Sequence, residues 1–183
     1  LALTSPPPHA VHRGLWAFAR AYAHLRTGQR DSANAYLARV DSLAHYTPET
    51  VTFRGHTPAR LLGVVGGILR GELLRTARRR NEAIAVLKQA VVLEDGLTYD
   101  EPEPLPFAAR DWLGATLLEA RRAGDAERVY RAALEDRPHN GWSLFGLEQA
   151  LRAQRKRTEA DQARAAFREA WVRSNTVLSG SNF

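Results

Sequence analysis

The segment LGATLLEARRAGDAERVYRAALEDRP (residues 113–138) is echoed by LEQALRAQRKRTEADQARAAF (residues 147–167). Leu113 aligns with Leu147, Leu117 with Leu151 and Ala126 with Ala160, each pair 34 residues apart. A repeat of that length marks a helix–turn–helix unit whose apolar face is buried only by stacking on neighbours. Working outward, the equivalent alanines are Ala33, Ala83, Ala126 and Ala160, separated by 50, 43 and 34 residues. The two longer intervals contain inserts. One is the connector at residues 46–56 (YTPETVTFRGH) with a lengthened helix after it; the other is the proline-rich LTYDEPEPLP at residues 97–106.

Apolar residues recur at helical spacing on both sides of these inserts. Helices are expected over about residues 11–26, 31–44, 57–78 and 81–95, then 107–122, 125–136, 141–154 and 158–174. Asp31, Asn81 and Thr57 are the expected N-caps, with Pro58 at the first helical position after Thr57. Ser5-Pro6-Pro7-Pro8 predicts an extended entry, because proline fixes φ and removes a backbone donor. The domain plan is therefore an entry segment (residues 1–10), a helical array (11–174) and a frayed C-terminal tail (175–183). The array is all-α: eight helices in four hairpins.

Small residues recur where helices would cross closely and large ones where gaps need filling. Gly114, Ala126, Tyr130, Ala133 and Pro138 mark one unit; Gly71, Leu74, Ala83, Leu87 and Ala90 mark an earlier one. This pattern is that of a tetratricopeptide repeat, which implies a right-handed α-solenoid of about four hairpins. Three further stretches, Tyr99-Asp100-Glu101-Pro102, Leu113-Gly114-Ala115 and Asn140-Gly141-Trp142 through Gln154, resemble the C-terminal half of a bacterial family of tetratricopeptide-repeat proteins. The likeness extends weakly back to Leu15. Glu103 stands where the family tends to have a second proline, and Arg121 replaces a usual turn glycine. Longer members carry a histidine-containing N-terminal half that these residues lack. The resemblance implies a scaffold rather than a particular activity.

Composition narrows the chemistry. With 183 residues and no cysteine, there is no disulfide framework and no thiolate metal site. No apolar run reaches the length of a membrane span. The absence of methionine and the start at Leu1 read as a fragment or processed product. The compartment is left open, with the cytoplasm favoured. The net charge of +6 comes almost wholly from arginine, since only Lys88 and Lys156 are lysines. That bias matches a GC-rich bacterial genome and does not by itself indicate nucleic acid. Basic residues concentrate in the turns within hairpins (Arg26, Arg30; Arg78–Arg80; Arg121, Arg122; Arg155–Arg157). Acidic ones concentrate between hairpins. The turn arginines favour helix C-termini and have no aromatics among them, which argues against single-strand binding.

The first helix of each hairpin is expected to line a concave groove. On that register the groove carries Phe18, Tyr22, Glu72, Arg75, Asp111, Trp142, Phe145, Gln149 and Arg152. Aromatics supply contact area at low entropy cost and arginine pairs with carboxylates, which suits a peptide. The alternative is that Trp142 and Phe145 only pack the core between repeats. Tyr99, Asp100 and Glu101 form a special loop whose carboxylates could bind a cation or serve as acid and base. Their structural alternative is to cap the next helix or to pair with Arg110. His9 and His12 lack further ligands in sequence, so no metal site is expected, and no catalytic or cofactor motif is present.

The expected function is a non-enzymatic scaffold that binds a protein or peptide segment. Two alternatives stand beside it: the structural or regulatory half of a larger enzyme, and a basic-edge binder of acidic partners. Self-association through a terminal repeat is a further expectation.

Overall fold

The computed structural model describes residues 5–182. Residues 1–4 of the entry segment and Phe183 of the tail lie outside the described residues. Among those described there are eight α-helices: α1 (Ala10–Arg26), α2 (Arg30–Tyr46), α3 (Pro58–Thr76), α4 (Arg80–Asp95), α5 (Ala109–Glu119), α6 (Ala123–Asp136), α7 (Gly141–Ala153) and α8 (Arg157–Ala170). The protein is an all-α helical repeat, and no helix is long and apolar enough to cross a membrane. The chain divides into two compact units, Leu1–Ala109 and Arg110–Phe183.

One turn is used four times. Gly28, Arg78, Arg121 and Arg155 all take positive φ, at 78°, 62°, 59° and 63°. In each turn that residue's N–H donates to the carbonyl three residues back: Gly28 to Leu25, Arg78 to Arg75, Arg121 to Leu118 and Arg155 to Arg152. The next N–H donates to the carbonyl five residues back: Gln29 to His24, Arg79 to Leu74, Arg122 to Leu117 and Lys156 to Leu151. This left-handed closure satisfies the last carbonyls of the first helix. It also launches the second helix at once, so the N-cap positions are Gln29, Arg79, Arg122 and Lys156, none with a side-chain cap. The expected caps are thereby corrected. Asp31 sits inside the first turn of α2 and Asn81 inside α4, because the turn motif leaves no residue between hairpin arms for a cap. Thr57 does occupy the N-cap of α3 but makes no side-chain cap bond, and Pro58 opens the helix.

A left-handed backbone is strained for any residue with a Cβ, yet three of these four positions hold arginine. Arg121 is exposed, and its side chain has no hydrogen bond or ion pair among the described residues. Arg121→Gly should therefore stabilise the protein by about 0.5–1 kcal/mol in urea denaturation. A loss of stability would mean that the guanidinium, not the backbone, dominates there.

In the first unit α3 is the central element. It packs against α1, α2 and α4, and Leu61, Leu62, Val64, Val65, Ile68 and Leu69 are almost wholly buried. That explains its all-round hydrophobicity. In the second unit α6 packs against α7 and α7 against α8, around Tyr130, Leu117, Leu147 and Leu151. The tail is not frayed over its described length. Ser181 is buried, shares a hydrogen bond with the Tyr130 hydroxyl and donates to the Asp111 carbonyl at 3.1 Å. Trp171 Nε1 donates to the Thr176 carbonyl at 2.7 Å. Two polar groups of the core thus gain partners from the tail, a pairing no helical period could announce.

Candidate functional site

The nine expected groove residues fall into two kinds. In the first unit, Phe18, Tyr22 and Glu72 belong to the interior. Phe18 packs against Tyr22 and Phe107, with ring centroids 5.9 and 5.7 Å apart. The Glu72 carboxylate is 1 % exposed and takes a bidentate pair of bonds from Arg75, at 2.7 and 2.8 Å, with Tyr22 Oη at 3.5 Å. These residues neutralise one another. A buried charge that lacked such partners would be very costly, so this cluster holds α1 to α3 rather than presenting a groove.

Asp111 in the second unit is likewise interior, at 3 % exposure. Its carboxylate accepts from Ser143 Oγ at 2.6 Å and from Asn140 Nδ2 at 3.1 Å. Burial pushes its pKa up to about 6, against which the two hydrogen bonds pull down. Asn140 also caps α7, its side-chain oxygen accepting from the Trp142 N–H at 3.0 Å. Arg152 is exposed and paired to Glu148 at 2.8 Å and Asp161 at 3.0 Å. Trp142 is half-buried with its ring edge-on to Trp171, centroids 5.6 Å apart.

Phe145 and Gln149 are different. Together with Glu148 from α7 and Arg164, Phe167 and Arg168 from α8 they line an open cleft of about 390 Å³. Internal comparison of the repeats explains why a cleft exists here. In the earlier hairpins a small residue on the first helix meets a large one on the second: Gly71 touches Leu87, and Gly114 touches Tyr130. The equivalent pair in the last hairpin is Glu148 and Arg164. The buried Ala90 and Ala133 are replaced at their equivalent position by the half-buried Phe167. Bulky and charged side chains thus stand where the two preceding hairpins have glycine and alanine. Phe145 and Phe167 lie 5.5 Å apart, and Phe167 stacks on Trp171 at 5.6 Å. Arg164 and Arg168 are exposed and have no ion pair among the described residues.

The special loop finds a partner in the first unit that the sequence did not suggest. Asp100 accepts from Arg54 Nη2 at 2.6 Å, so its partner is Arg54 rather than Arg110. The N–H of Ala109, at the start of α5, is capped by Glu94 at 2.9 Å, not by Asp100 or Glu101. Arg54 projects from a tight turn in the other insert, where Phe53 and His56 exchange two backbone hydrogen bonds of 3.0 Å. Its corner residues Arg54 and Gly55 both have positive φ, the geometry of a type I′ turn. His56 is almost wholly buried, with Nε2 3.6 Å from the Asp100 carboxylate, beyond hydrogen-bond reach. The two inserts are therefore clasped to one another. Tyr99 stays exposed and bonds Glu101 through its hydroxyl. Among the described residues no group of three histidines or carboxylates is placed to hold a metal ion.

Compared with models of known protein families and with curated proteins, the chain matches none.

Proposed function

We propose that this chain is a tetratricopeptide-type interaction module that holds a partner polypeptide at the cleft between α7 and α8. The observation that carries the reading is the departure of the last hairpin from its own repeat. Where the two preceding hairpins set a glycine against a large side chain, this one lines a cleft with half-buried Phe145 and Phe167 and with Arg164 and Arg168, which have no ion pair among the described residues. Half-buried aromatic rings beside a concavity are the usual anchors of a protein interface. A partner would insert one apolar side chain against the two phenylalanines, while Gln149, Arg164 and Arg168 take its main-chain carbonyls. Helical-repeat scaffolds supply such surfaces because each hairpin contributes a fresh helix face.

An array of synthetic peptides probed with the intact chain tests this. Peptides with a central aromatic or branched aliphatic residue should bind, and Phe145→Ala and Phe167→Ala should each weaken binding about tenfold. Circular dichroism establishes that both variants remain folded. Binding by folded variants that matches the parent chain would overturn the proposal.

A further inference from the structure

The opposite end of the sequence carries a second surface, built differently. On α1, Arg13, Trp16 and Arg20 follow one another at helical spacing; on α2, Tyr36 and Arg39 do the same. Packing of α1 against α2 brings the two rows together. The Trp16 and Tyr36 rings meet edge to face with centroids 5.7 Å apart. The Arg20 guanidinium is 5.7 Å from the Trp16 centroid and 5.9 Å from that of Tyr36, and Arg39 is 4.6 Å above Tyr36. His24 stacks on the same tyrosine at 5.4 Å. Beside this array lies an open cleft of about 470 Å³, whose lining includes Pro6, Trp16, Ala17, Leu43, Arg13 and Arg39.

Among the described residues no carboxylate lines this cleft. α1 contains no acidic residue, and the Asp41 carboxylate of α2 is taken by Arg70 of α3 at 2.6 Å. Arg20 and Arg39 have no ion pair among the described residues, and the Nε of Arg20 is buried without a hydrogen-bond partner. Among the described residues the Arg13 guanidinium donates to the Pro8 carbonyl alone, at 2.6 Å. Arg20 and Arg39 are thus held in place by aromatic packing and Arg13 by the Pro8 carbonyl, and none of the three has an ion pair among the described residues. An arginine laid on a ring has lost much of its rotamer freedom and still offers an N–H edge to a carboxylate.

From this we infer that the α1–α2 face docks an acidic peptide segment, one apolar side chain entering the cleft with flanking carboxylates on Arg13, Arg20 and Arg39. The charge complementarity selects an anion, and the apolar floor selects a side chain. A single-stranded nucleic acid fits less well. Its bases need open aromatic faces, whereas a base stacking on Tyr36 would have to displace Arg39 or His24.

The test is fluorescence anisotropy on the intact chain at about 0.15 M salt. Three probes are used: a labelled peptide with leucine between glutamates, the same peptide with lysines for glutamates, and an oligothymidine. The glutamate peptide should bind at least about tenfold more tightly than the lysine peptide. Arg39→Glu and Arg13→Glu, both at exposed positions, should each reduce that binding about tenfold. Equal binding of the two peptides overturns the inference. So does tighter, Arg39-dependent binding of the oligothymidine, which would make the face a nucleic-acid surface. Loss of peptide binding with Arg164→Glu but not with Arg39→Glu would place the acidic peptide at the α7–α8 cleft instead.

Discussion

Replacing Gly146 by valine should cost about 3 kcal/mol or more and lower the melting temperature of the second unit by roughly 10–20 °C. A Cβ on Gly146 would stand 2.2 Å from Cζ of Tyr130, and one on Gly114 would stand 2.3 Å from the same atom. The ring is fully buried and wedged between α5 and α7, with its hydroxyl tied to Ser181 of the tail. It cannot retreat from one helix without striking the other. Overpacking of a core usually costs about 1–3 kcal/mol, and the upper end applies when no neighbour can yield. Tryptophan fluorescence is a suitable readout, since Trp112, Trp142 and Trp171 lie in this unit and only Trp16 lies outside it. The Tyr130→Leu background supplies a control. There Gly146→Ala should cost clearly less than in the parent, because the atoms it would strike are gone. Equal cost in both backgrounds would show that the steric account is wrong.

Asp111→Asn should remove a pH dependence of stability worth roughly 3 kcal/mol. The carboxyl moves from its ordinary 3.8 to about 6 on folding, because burial disfavours the charged form more than Ser143 and Asn140 favour it. The folded state therefore prefers the neutral acid. Its stabilising contribution is complete below about 4, declines as pH rises through 6 and is absent above. Glu127 behaves oppositely. Hydrogen bonds from Lys156, Gln154 and Arg131 outweigh its burial and hold it at about 2, so its contribution is present above 4.5 and is lost toward pH 2. Both proteins share Glu127, so subtracting one stability curve from the other isolates Asp111. Asparagine can keep both contacts, accepting from Asn140 and donating to a reoriented Ser143 hydroxyl. The parent should lose ground to Asp111→Asn between about pH 4 and pH 7, as read by urea denaturation across that range. Parallel curves would show that Asp111 is ionised in the fold at no cost.

Much of the architecture was legible in the residues. The 50, 43 and 34 spacing of Ala33, Ala83, Ala126 and Ala160 recurs in the four left-handed turn residues, Gly28, Arg78, Arg121 and Arg155. It recurs because each turn is closed by bonds only three and five residues long. Helix ends moved by a few residues for the same reason, as the turn motif rather than a polar cap decides where each second helix begins. The candidate sites were less legible. Phe145 and Gln149 lie where a helical face can be counted, but Glu72 and Asp111 share that face and are interior. Counting turns gives a direction around a helix, not the depth of what packs over it.

The sequence by itself determined the helices, the hairpins and the two inserts, because these depend on local bonding and on periodicities of 3.6 and about 34 residues. Only the tertiary structure decided that Arg54 meets Asp100, that Ser181 returns to Tyr130, and that Trp16, Arg20, Tyr36 and Arg39 form one surface. Each of these joins residues from separate segments. Their meeting is set by how neighbouring helices bury apolar area, which no single stretch of chain contains.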